Sequence, residues 1–217
     1  MRNPFPGTNP DVEHQANLTA IVLAGGKSSR MGQDKALLQV SKIPLLQQVC
    51  EIAQQCARQT YVVTSWTERY LALLPADCCV VSELPLPGET EPSGPLVGFA
   101  QGLTQVSTDW ILLLACDLPQ LRAEVLQRGI EQLGQVPEEA IAFLPKSSQG
   151  WEPLCGFYRR CCLPSLMEFI EQGGRSFQAW LAPQIVAELT LTEPQILFNC
   201  NTPEDLAIAR KTFNAGA

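Results

Sequence analysis

The sequence predicts an α/β fold in three layers built on a mostly parallel sheet. Three observations carry this reading. Strand-like and helix-like segments alternate along the body of the chain. Two runs, Thr19-Ala20-Ile21-Val22-Leu23 and Trp110-Ile111-Leu112-Leu113-Leu114-Ala115, are apolar throughout, as in strands buried on both faces. Each run ends in residues able to do chemistry: the first in a basic, glycine-rich turn, the second in Cys116-Asp117. Such alternation implies right-handed crossovers with helices on both faces. Ligands on such sheets bind beyond the carboxyl ends of the strands.

Taken in order, residues 1–17 hold three prolines and little apolar material and are expected to form a disordered extension. Residues 18–217 are expected to form one domain, since a 217-residue chain with 46% hydrophobic and 17% charged residues can bury one sizeable core. After the first strand, residues 43–57 place Leu46, Val49, Cys50 and Ala53 at helical spacing. A strand follows at 61–64, a short helix at 69–74 stopped by Pro75, and a strand at 78–81. Pro85, Pro87 and Pro92 stiffen the next loop, and Gly94-Pro95 opens a helix to about Gln105. Beyond the 110–115 strand a helix starts near Pro119, strands lie at 140–144 and 152–158, and helices at 163–172 and 177–181. Thr202, Pro203 and Asp205 stand at N-cap, first and third positions of a last helix.

Composition excludes several function classes. A net charge of −7 argues against broad nucleic-acid binding, which needs a basic surface. No charged segment leads into a signal-like apolar region and no apolar run reaches membrane-spanning length, so a cytoplasmic protein is expected. The nine cysteines contain no C-x-x-C pair and mostly lie in apolar runs, which reads as reduced, buried thiols. His14, the one histidine, falls in the expected tail, so Cys-His, Ser-His and histidine-based zinc chemistry have no basis.

The turn Leu23-Ala24-Gly25-Gly26-Lys27-Ser28-Ser29-Arg30-Met31-Gly32-Gln33-Asp34-Lys35 is the first stretch that carries chemistry. Gly25 and Gly26 let consecutive N–H groups converge on an anion, and Lys27, Arg30 and Lys35 surround it with positive charge. It is not a Walker A loop, because the earlier glycine that motif needs is Ile21 here. No G-x-G-x-x-G spacing can be drawn through it either. The second stretch is Cys116-Asp117-Leu118-Pro119, whose carboxylate emerges at the ligand edge of the sheet. Asp117 is read as a metal ligand, with Mg²⁺ the hard cation suited to it, or alternatively as the cap of the helix near Pro119. Gly94-Pro95 is either a helix N-terminus facing the ligand or a plain helix start. Arg175 is either an anion contact or, by preference, a surface arginine between helices.

Read as L-A-G-G-x-x-x-R-M-G-x-D-K, the turn resembles the signature loop of nucleotidyltransferases, most closely the molybdenum cofactor guanylyltransferases. Four more elements resemble that family in the expected order: G-P-L-x-G at 94–98, C-D-x-P at 116–119, P-L-x-G-x-Y at 153–158 and N-x-N-T-P-E-D-L at 199–206. The resemblance covers about residues 19–209. It implies a Rossmann-like sheet of the nucleotide-diphospho-sugar transferase type, with GTP and Mg²⁺ as ligands and molybdenum-bearing molybdopterin as acceptor.

By the same resemblance Leu23, Ala24, Gly25 and Gly26 contact GTP, Lys35 and Arg30 act on its phosphates, and Asp117 meets both GTP and metal. Asn199 or Asn201 reaches the metal or the acceptor. The family's aspartate after the third strand is Glu83 here, one methylene longer, which leaves its part in GTP binding in question. The reaction implied is GMP transfer with release of pyrophosphate, by in-line attack that needs no protein nucleophile. The resemblance also implies transient contact with other cofactor-biosynthesis proteins or molybdoenzymes. The rival readings are a CTP:molybdopterin cytidylyltransferase, a sugar-phosphate nucleotidyltransferase, and a nucleotide-binding regulator without activity.

Overall fold

A computed structural model describes residues 18–25 and 33–215, the side chains of 214 and 215 excepted. The expected disordered extension lies outside these residues, as do Gly26 and Arg30.

Among the described residues the strands are β1 (Leu18–Leu23), β2 (Gln59–Thr64), β3 (Cys78–Ser82), β4 (Trp110–Ala115), β5 (Ala142–Leu144), β6 (Lys146–Ser147), β7 (Gly150–Trp151), β8 (Cys155–Arg159) and β9 (Val186–Glu188). Seven of them form one sheet in the order β3-β2-β1-β4-β8-β5-β9, while β6 and β7 pair as a separate hairpin. The pairings β1–β2, β1–β4, β2–β3 and β5–β9 are parallel, and β8 alone runs against both its neighbours. That reversal was not expected from the sequence.

The helices are α1 (Leu45–Cys56), α2 (Thr67–Tyr70), α3 (Pro95–Leu103), α4 (Ala123–Ile130), α5 (Leu163–Glu171), α6 (Phe177–Leu181) and α7 (Pro203–Ala215). They cover both faces because the central strands are apolar on both. Leu18, Ala20 and Val22 of β1 pack with Leu112 and Leu114 of β4 beneath α1 and α4. Ile21, Leu23, Ile111 and Leu113 point the other way, into α3, α5 and α6. On that side α3 lies close to the sheet. A Cβ at Gly102 would stand 2.8 Å from a methyl of Val63.

The expected elements are found with ends moved by a few residues, as when the 69–74 helix resolves into α2 and a 3₁₀ turn at Leu71–Leu73. Three segments differ. The strand expected over 152–158 begins at Cys155, and the β6–β7 hairpin and β9 were not anticipated. The helix expected near Pro119 begins at Ala123 with Arg122 as its N-cap, so Asp117 does not cap it. All nine cysteines are free thiols, and burial pushes Cys155 up to about 12. Among the described residues no helix is long and apolar enough to cross a membrane.

Candidate active site

The chain leaves β1 toward β2 and β3, then crosses back to lay β4 on the other side of β1. A crevice opens at such a reversal, beyond the carboxyl ends of the two strands. Here Leu23 pairs with Ala115 in register, and the Cys116 amide continues the pairing by donating to the Leu23 carbonyl at 3.1 Å. The turn after β1 and the carboxylate after β4 are therefore neighbours. Both line a cleft of about 520 Å³, together with Leu23, Ala24, Asp34, Lys35, Glu83 and Asn201.

At its floor the Lys35 ammonium donates to Asp117 Oδ2 at 3.0 Å and to Asn201 Oδ1 at 2.5 Å. The Lys35 and Asp117 side chains are 21% and 16% exposed, so the pair is largely shielded from bulk water yet open to the cleft. Lys35 begins a short 3₁₀ turn (Lys35–Leu37) capped by Asp34, whose Oδ1 accepts from the Ala36 amide at 3.0 Å. Asn201 is placed by two constraints. The amide of Cys200 donates to the Asp117 carbonyl at 3.0 Å. The Asp205 carboxylate accepts from the amides of Asn201 and Thr202 at 2.9 and 2.8 Å, while Thr202 Oγ1 accepts from the Asp205 amide at 3.1 Å. This is a reciprocal cap of α7, and the Asn201 N–H is the main reason the Asp205 carboxyl is held below its ordinary value.

Glu83 forms the opposite wall. Its side chain is buried between two glycines. A Cβ at Gly25 would lie 2.7 Å from Oε2, and one at Gly98 would lie 3.3 Å from Oε1. Any larger residue at 25 would have to displace the carboxylate. Burial raises the Glu83 carboxyl above its ordinary value. Gly94, at φ 93°, occupies the left-handed region that favours glycine, and from it the N-terminus of α3 turns into the cleft with Pro95.

The structure thus brings together Leu23, Ala24, Gly25, Lys35, Glu83, Asp117 and Asn201. It sets Asn199 apart, in a small adjoining depression with Leu118, Glu152 and Leu197. Arg175 is a partly exposed arginine on the α5–α6 connection, paired with Glu89 at 2.9 Å. The sequence reading missed Tyr70, whose hydroxyl donates to Asp34 Oδ2 at 2.8 Å. Nothing in the spacing of the two residues signals that contact. Cys116, beside Asp117, is a buried thiol raised above its ordinary value by desolvation, which disfavours the thiolate.

The end of β1, Gly25, a lysine and a strand-end carboxylate thus line one cleft. Residues 20–186 match the MobA-like NTP transferase domain. The chain belongs to this family. The transferase is 62% identical over 198 residues, covering 91% of its own length and 93% of the relative's, to a Nostoc protein named "Probable molybdenum cofactor guanylyltransferase". A Synechococcus elongatus protein of the same name is 44% identical over 189 residues, covering 87% of the transferase and 96% of that relative. Among solved structures, molybdopterin-guanine dinucleotide biosynthesis protein A from Archaeoglobus fulgidus superposes with a TM-score of 0.75 at 23% identity, over 91% of the transferase and 99% of that chain. At that identity the likeness speaks for the fold.

Proposed function

We propose that this transferase moves GMP from GTP to molybdenum-bearing molybdopterin, forming the guanine dinucleotide form of the cofactor and releasing pyrophosphate. The observation that carries the proposal is the meeting of Lys35, Asp117 and Asn201 beside the Gly25 turn at the sheet's reversal point. The names of the 62% and 44% identical relatives support the choice of nucleotide and acceptor.

The residues divide the work by their chemistry. Lys35 is the cation at the cleft floor that pairs with the triphosphate, exchanging Asp117 for phosphate oxygens as substrate enters. The Gly25 backbone borders the same space, while the Ala24 amide is taken up by the Val63 carbonyl at 2.9 Å. Glu83 lines the cleft with a carboxylate that only accepts hydrogen bonds when ionised. Guanine offers it two adjacent donors on its pairing edge, N1–H and the 2-amino group, whereas cytosine offers acceptors and one amino group. A site built around such bonds discriminates strongly. The terminal phosphate oxygen of the acceptor attacks the α-phosphorus in line with the departing pyrophosphate, and Lys35 offsets the charge that develops.

The donor set fits a magnesium ion. The Asp117 carboxylate and the Asn201 carbonyl oxygen already share one cation, the Lys35 ammonium, and Mg²⁺ binds through one or two carboxylates plus substrate phosphates. Asp117 and Asn201 would hold the ion, which supplies Lewis-acid stabilisation of phosphate charge.

A thermal-shift panel of GTP, CTP, UTP and ATP with Mg²⁺ tests the nucleotide assignment. A ligand that binds the native state raises its melting temperature. GTP is expected to give the largest shift; a larger one with CTP overturns the guanylyl reading, and no response to any triphosphate overturns the transferase reading.

A further inference from the structure

Ala24, just after β1, and Asp34, just before Lys35, are both gripped by one neighbouring segment, residues 64–70. At the first, Thr64 Oγ1 donates to the Ala24 carbonyl at 2.7 Å and accepts from the Trp66 amide at 3.0 Å. At the second, the Tyr70 hydroxyl donates to Asp34 Oδ2 at 2.8 Å, and Arg69 Nη1 lies 3.0 Å from the same oxygen. The other oxygen of Asp34 caps the turn that starts with Lys35. Thr64 and Tyr70 are buried, at 0% and 3% exposure, and the Asp34 side chain is 13% exposed, so these bonds are largely shielded from water. Arg69 is half exposed and adds less.

We infer that Thr64 and Tyr70 are positioning residues of the transfer reaction, holding Ala24 and Asp34 in place, with Tyr70 acting on Lys35 through Asp34. The inference rests on the nucleotidyl-transfer reading and deepens it. The Lys35 ammonium must leave Asp117 for a phosphate without the backbone beneath it shifting. A rigid anchor one residue earlier provides that, because a misplacement of about 1 Å in such a site costs on the order of a hundredfold in rate. The segment from Thr64 to Tyr70, the end of β2 through α2, thereby fixes the spacing between the Gly25 backbone and the Lys35 cation.

Removing only the hydroxyl tests this, since Tyr70→Phe keeps the ring in the core. Turnover of GTP with the molybdopterin acceptor and Mg²⁺ is expected to fall about tenfold, roughly 1.4 kcal/mol, with the melting temperature lowered only by the few degrees that loss of one hydrogen bond costs. In a Lys35→Ala background the same substitution is expected to have no further effect. GTP affinity by calorimetry provides a second readout of the cycle where Lys35→Ala leaves too little turnover. Thr64→Val is expected to lose activity likewise, and Thr64→Ser to restore it. Wild-type kinetics in Tyr70→Phe, or an undiminished tenfold loss when Lys35 is already absent, would overturn the coupling. An inactive wild-type protein would instead sink the transferase reading, and this inference with it.

Discussion

On one side of the cleft β1, β2 and β3 run parallel to β4, and their ends supply Gly25, Thr64 and Glu83, with Asp117 two residues past the end of β4. On the other side lie β8, β5 and β9. Among the described residues, Leu154 and Asn201 are the cleft-lining groups that come from beyond Asp117 in the chain. What β8 and its neighbours bring instead is packing. Tyr158, Phe99, Phe177 and Trp180 stack and tilt against one another with centroids 4.8–6.3 Å apart. The first half concentrates hydrogen bonds and charge at parallel strand ends, where register fixes each side chain against the next. The second half is a buttress. Changes in the first should therefore show in kinetics, and changes in the second in stability.

The largest effect is expected from Asp117→Ala. Loss of the strand-end carboxylate should lower Mg²⁺-dependent turnover by about a thousandfold, by analogy with removal of a charge-stabilising group elsewhere, and leave the melting temperature close to wild type. Substantial activity in that variant, measured as pyrophosphate release, would break the division at its strongest point.

A smaller and two-sided effect is expected from Glu83→Gln. Burial raises the Glu83 carboxyl in the folded state, so its stabilising contribution belongs to the protonated form. That contribution is present below the ordinary value of 4.5 and is lost as pH rises through the raised value. The glutamine variant should therefore melt above wild type near neutral pH, with the gap closing as pH falls toward 4.5. It should also bind GTP about tenfold more weakly, the scale of a hydrogen bond to a charged group. A gap that does not change with pH would show that the buried charge is not what costs stability here.

The smallest effect is expected across the sheet. The Tyr158 hydroxyl donates to the Pro153 carbonyl at 2.8 Å. Tyr158→Phe should cost about 1 kcal/mol in chemical denaturation and leave kcat and KM as they were. A kinetic defect would mean the buttress also shapes the site.

The same contrast governs what was readable beforehand. The strands β1 and β4 announce themselves through unbroken apolar runs, and Asp117 stands out because a lone carboxylate follows one of them. The direction of β8 had no such signal. The run Cys155-Gly156-Phe157-Tyr158 is as apolar in an antiparallel strand as in a parallel one. The hairpin β6–β7 and strand β9 are two or three residues long and only partly buried, too short for any period to emerge. In the site, Lys35 was legible from its motif, whereas Tyr70 is held to Asp34 by a contact across 36 positions. Asn199 and Asn201 looked equivalent in sequence. The cap of α7, which draws the Asn201 amide toward Asp205, separates them.

Because β8 runs backward, the chain meets the ligand edge there on its way into the strand, through Pro153-Leu154, rather than on its way out. The stretch just before it, the hairpin from Lys146 to Trp151, forms no rung of the seven-stranded sheet and is tied down instead by α6, where Gln178 Nε2 donates to the Trp151 carbonyl at 2.5 Å. Changes of length or composition in that hairpin would leave every rung of the seven-stranded sheet in register.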